Sequence, residues 1–69
     1  MKLKLNKKVY SKSGINSAID AFEDLCNVKI TLKDDYYLLS FDSVEKDVKD
    51  SILDEFSNFA LYGTIAGKK

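Results

Sequence analysis

The chain contains no histidine, tryptophan, proline or arginine, and only one cysteine. Without histidine, a single thiol cannot build a familiar zinc or iron–sulfur site within one chain. Ser-His-Asp and Cys-His nucleophilic catalysis are excluded for the same reason. Arginine is the side chain suited to bidentate recognition of phosphate and guanine, so its absence argues against sequence-specific nucleic-acid binding. One cysteine forms no intramolecular disulfide, which fits a reducing, cytoplasmic location. No apolar run reaches about 18 residues, so no membrane span is expected. The basic N-terminus alternates and has no apolar core, unlike a signal peptide. No cofactor, metal or catalytic set is expected, and the chain reads as a non-enzyme.

What is present is a single small domain over 1–69, with 45% hydrophobic residues and an equal number of acids and lysines. That apolar content is ordinary for a globular protein and too high for a disordered one. The charge is unevenly placed. Lys2, Lys4, Lys7, Lys8 and Lys12 crowd the first twelve residues, and no acid accompanies them. Asp42, Glu45, Asp47, Asp50, Asp54 and Glu55 dominate a later stretch. Two solvated faces of opposite sign account for this pattern. A basic sheet face that meets an acidic partner is the sharper reading.

Residues 2–10 alternate, with Leu3, Leu5 and Val9 on one side and Lys2, Lys4, Lys8 and Tyr10 on the other. Period two predicts a half-buried strand, bent or ended where Lys7 breaks the inner face. Residues 12–26 then switch to a helical period through Ile15, Ala18, Ile19, Phe22, Leu25 and Cys26. Ser11 or Ser13 caps the start and Asn27 stops it. Val28, Ile30 and Leu32 point inward along a second strand. Asp34-Asp35 forms a turn, either as a two-residue loop or inside a longer even one, and residues 36–42 return as a third strand. The short loop pairs Leu32 with Tyr37, Ile30 with Leu39 and Val28 with Phe41, so turn length and apolar pattern agree. A second helix is expected over 43–62, opened by Asp42 and Glu45 as a capping box. Its core stripe is Val48, Ile52, Leu53, Phe56, Phe59 and Ala60. Gly63 either caps this helix or packs within a longer one, and 64–69 form a flexible tail.

The element order is β-α-β-β-α. A right-handed first crossover lets the third strand slot between the first two, antiparallel to both. The predicted α+β architecture is a three-stranded sheet with two helices on one face, a truncated ferredoxin-like fold.

Val9-Tyr10-Ser11 followed by Ile15, Ala18 and Phe22, then a hairpin, then Glu55-Phe56-x-Asn58-x-x-Leu61, is similar to the small D component of His-Xaa-Ser peptide-modification systems. That family ends a strand in a Tyr-Ser pair and marks its last helix with Glu-Phe-x-Asn. The chain departs from it at Ile19, where an aromatic is common, and has no basic residue soon after Leu61. The resemblance implies a cytoplasmic accessory protein that works beside radical S-adenosylmethionine enzymes on a ribosomally made peptide.

Partner-binding candidates come from the second helix. Measured from Ile52 at about 100° per residue, Phe56, Phe59 and Ala60 stay near the core direction, whereas Leu61 lands opposite with Ile65 one turn on. Leu61, Tyr62 and Ile65 therefore form a second apolar stripe, met either by the protein's own tail folding back or by a second chain, as in a homodimer. Glu55 and Asn58 share one helix face, where they cap or cross-link the sheet rim or anchor a partner peptide. The outer sheet face offers an alternative surface that includes Lys4, Tyr10, Lys33, Tyr36 and Leu38. Lysines among tyrosines resemble a single-strand stacking platform, but the RNA-binding signature is missing. A protein or peptide partner is thus expected ahead of nucleic acid. Asp34 with Asp35, and Asp20 with Asp24, lack the spacing of a calcium loop and read as solvated. Cys26 reads as a small core hydrophobe.

Overall fold

A computed structural model describes residues 1–66. Its order is β1 (Lys2–Asn6), α1 (Lys12–Ala21), β2 (Asn27–Leu32), β3 (Tyr36–Asp42), a short 3₁₀ turn (Lys46–Val48) and α2 (Ile52–Ala66). The sheet runs β1-β3-β2, and β3 is antiparallel to both neighbours. The strand faces carrying Leu5, Leu39 and Phe41 share one core with Ile15 and Ala18 of α1 and Ile52, Phe56 and Ala60 of α2. Both helices therefore cover one face of the sheet, and the other face stays open. The α+β architecture is the one the sequence predicts.

The hairpin follows the alternation. Leu32 pairs with Tyr37, Ile30 with Leu39 and Val28 with Phe41. The Lys33 amide donates to the Tyr36 carbonyl at 3.0 Å and closes a two-residue Asp34-Asp35 loop. Ser43 is the one non-glycine residue with positive φ among the described residues. The Asp-Asp turn is accordingly not the type I′ form that Asn-Gly favours.

β1 is shorter than its alternation. The Asn6 side-chain oxygen accepts from the Lys8 amide at 2.7 Å, and the Asn6 carbonyl accepts from the Val9 and Tyr10 amides at 3.1 and 2.9 Å. An asparagine that satisfies its own turn competes with the ladder. This turn reverses the expected parity: Val9 becomes exposed, and Tyr10 packs against the core.

α1 begins where Ser11 accepts the Gly14 amide at 2.9 Å, but it stops at Ala21 rather than reaching Asn27. Phe22 leaves helical geometry, with φ −103° and ψ 6°. Its carbonyl takes the Leu25 and Cys26 amides in a tight turn. Asp20, Glu23 and Asp24 place negative charge where the helix dipole is already negative, which disfavours continuation. Asn27 opens β2 instead of capping α1.

α2 also departs at its start. Asp42 ends β3, Ser43 takes φ 54°, and the Glu45 amide donates to the Leu25 carbonyl at 2.8 Å. No Asp42–Glu45 capping box forms, because that tertiary bond and the packing of Val44 and Val48 on the core hold the segment out of the helix. The helix starts at Ile52, after Ser51 donates through Oγ to the Glu55 carboxylate at 3.1 Å. At its other end, Thr64–Ala66 are helical rather than a tail. The rest of that expected tail, residues 67–69, lies outside the described residues.

Candidate functional site

α1 and α2 pack antiparallel and are pinned at one end. Thr64 is buried, and its Oγ1 donates to the Ala60 carbonyl at 2.8 Å. The same oxygen accepts from the Ser11 amide at 2.8 Å and from Ser11 Oγ at 3.2 Å. Ser11 Oγ in turn caps Gly14. The backbones come close enough here that a Cβ on Gly14 meets the Ala60 carbonyl oxygen at 2.5 Å. A Cβ on Gly63 meets Gly14 Cα at 3.0 Å. Gly63 is thus a packing glycine within the helix, one of the two roles open to it from sequence.

This crossing decides which side chains of α2 are covered. The buried row is Ile52, Phe56, Ala60 and Thr64. Residues four apart advance about 40° around a helix axis, so the row winds away from its starting direction. It turns toward Leu61, which is half-buried rather than opposite the core. It turns away from Phe59, which keeps an edge contact to Phe22 at 5.8 Å but is 40% exposed. Tyr62 is 72% and Ile65 62% exposed. Glu55 and Asn58 are exposed as well. At spacings of three and four they adjoin Phe59, Tyr62 and Ile65 on one face.

Four of the five expected contact residues, Glu55, Asn58, Tyr62 and Ile65, therefore share a surface. Leu61 leaves the set and Phe59 joins it. Glu55 accepts from Ser51, the residue just before α2, and not from the sheet rim. Of the two alternatives for Ile65, folding back onto the protein's own sheet does not occur, because the helix carries it outward. The signal for Phe59 was the spacing of small or polar Thr64 and Ala60 behind Phe56, which marks the buried row by fours.

The alternative surface is only partly assembled. Lys4 pairs with Leu38, and Asn6 with Tyr36, on the open sheet face. Lys4 Nζ sits 4.5 Å from the centre of the Tyr36 ring. Lys33 lies just past β2, with its amide bonded to the Tyr36 carbonyl. Tyr10 is on the helix side, so the platform has one outward tyrosine instead of two. Beside it, Asn6, Lys7, Lys8, Asp34 and Asp35 line a cleft of about 380 Å³. Its lysines and aspartates mix both charges.

Cys26 is buried, and its Sγ lies 3.7 Å from the Phe22 carbonyl oxygen. Burial pushes its thiol above the ordinary value. Among the described residues, no three His, Cys, Asp or Glu side chains come together as a metal site requires. None of the described helices is long and apolar enough to cross a membrane. Compared with models of protein families, with curated proteins and with solved structures, the chain matches none.

Proposed function

We propose that this chain is a non-enzymatic module of the cytoplasm that binds a protein or peptide through the exposed face of α2. The observation that supports it most is the pair Tyr62 and Ile65, held open to solvent beside Phe59 on a pinned helix. A large exposed tyrosine next to aliphatic and aromatic neighbours is the composition of a contact surface. Glu55 and Asn58 supply polar anchors at its rim. The likeness of Tyr10-Ser11 and Glu55-Phe56-x-Asn58 to the D component family points to a ribosomally made peptide as the occupant, presented to a radical S-adenosylmethionine enzyme.

The test is a titration of the isotopically labelled chain with a ribosomal peptide carrying His-Xaa-Ser repeats. Amide shifts clustered at 55–66 and abolished by Tyr62→Asp with Ile65→Asp support the reading. Shifts confined to Lys4, Tyr36 and Leu38 transfer the site to the sheet, and no shifts at all sink the peptide reading.

A second reading is a self-associating structural domain, favoured by the edge of β2, which no strand pairs among the described residues. Nucleic-acid binding on the sheet is weaker, since the Lys4 ammonium already covers Tyr36, the ring a base needs.

A further inference from the structure

β2 lies at the edge of the sheet, and its ladder parity is readable. The Lys33 amide bonds to the Tyr36 carbonyl, and directly bonded pairs alternate along an antiparallel ladder. Lys29 and Thr31 therefore bond to β3, opposite Ser40 and Leu38. The N–H and C=O groups of Val28, Ile30 and Leu32 point away from the sheet. No strand pairs with them among the described residues. Leu32, expected in the core, is 55% exposed at the end of this edge.

An open edge of β-branched and aliphatic residues is a template for pairing. We propose that β2 pairs antiparallel with β2 of a second copy, centred on Ile30, joining two three-stranded sheets into one of six. Side-chain parity allows only registers in which inner-face residues meet inner-face residues. In the register centred on Ile30, Val28 meets Leu32 of the second copy and Ile30 meets Ile30, and the outward groups are those that bond. On the outer face Lys29 meets Thr31, and Lys33 meets Asn27. No like charges are directly opposed. The neighbouring register, centred on Lys29, sets ammonium against ammonium, which is unfavourable. β1 is guarded in the same way: pairing it on itself over its full length opposes Lys4 to Lys4. Charge thus selects the edge and its register together, and the pairing covers the exposed Leu32. This inference is independent of the α2 surface, which stays free on both copies.

Sedimentation of the full chain across a concentration series tests it, with circular dichroism as a check on folding. Wild type is expected to dimerise. Thr31→Lys, an exposed outer-face change, brings two ammonium pairs into opposition and should weaken the dimer about tenfold. Combining it with Lys29→Glu converts both into attractive pairs and should restore the dimer. Amide exchange at Val28, Ile30 and Leu32 should slow as concentration rises. A wild type that stays monomeric into the high micromolar range overturns the proposal. So does a dimer indifferent to Thr31→Lys, or one lost on Tyr62→Asp with Ile65→Asp, which assigns self-association to α2 instead.

Discussion

Replacing Gly14 by alanine sets two effects of opposite sign against each other. Inside a helix, alanine is favoured over glycine by about 1 kcal/mol, because glycine loses more backbone entropy. At this position the new Cβ comes within 2.5 Å of the Ala60 carbonyl oxygen, 2.6 Å of Thr64 Oγ1 and 2.7 Å of the Thr64 amide nitrogen. Two of these atoms are helix backbone, and the third is held by three hydrogen bonds. None can swing away, so the helices must separate. Overpacking of this kind costs about 1–3 kcal/mol. Separation also stretches the two Ser11–Thr64 bonds, worth about 1 kcal/mol each. The net loss is about 2–4 kcal/mol, against a total stability of roughly 3–10 kcal/mol for a chain of this size. Urea unfolding followed by circular dichroism reads the result, as a lower midpoint at unchanged slope. Gly63→Ala, whose closest approach is 3.0 Å, should lose less. If Gly14→Ala proves as stable as wild type or more so, the close crossing is wrong and propensity alone governs the site.

Three further outcomes are expected. Phe41→Ala should cost about 3–5 kcal/mol, since its ring is buried edge-on against Phe56 at 5.0 Å, whereas Lys29→Ala on the open face should change stability by less than about 0.5 kcal/mol; equal urea midpoints for the two variants refute the register. Thr64→Val keeps the shape but strips the Ser11 amide of its acceptor, and a loss of about 1–3 kcal/mol is expected in the same assay. Cys26 supplies a pH test. Its folded thiol titrates above the ordinary value of 9.0 because burial disfavours the thiolate, so on raising the pH through 9.0 the unfolded chain releases its proton first and stability falls. Cys26→Ala should remove that part of the alkaline loss, and equal pH dependence of the two melting curves contradicts it.

Much of the fold is legible in local pattern. The hairpin is readable because alternation and turn length are both short-range and have to agree, and together they place Ile30 against Leu39. A serine cap for α1 was legible as Ser11 or Ser13, and the structure selects Ser11. Element ends were less legible. The end of β1 depended on Asn6 folding its own side chain over Lys8. The start of α2 depended on a bond from Glu45 to Leu25, twenty residues back in the chain, which no local capping pattern reports. Local pattern puts Leu61 in the open α2 stripe, because a helical wheel assumes that the core lies in one fixed direction, whereas Leu61 is half-buried.

The order of elements and the parity of the hairpin are written along the chain, since periodicity and turn residues are properties of neighbours in it. Which α2 residues are open depends instead on how the two helices cross. The close approach at Gly14 and Gly63 lets the buried row wind through Ile52, Phe56, Ala60 and Thr64, and that winding covers Leu61 while it uncovers Phe59. The edge position of β2 was itself legible, since a right-handed first crossover slots the third strand between the first two; the exposure of Leu32 on that edge was not.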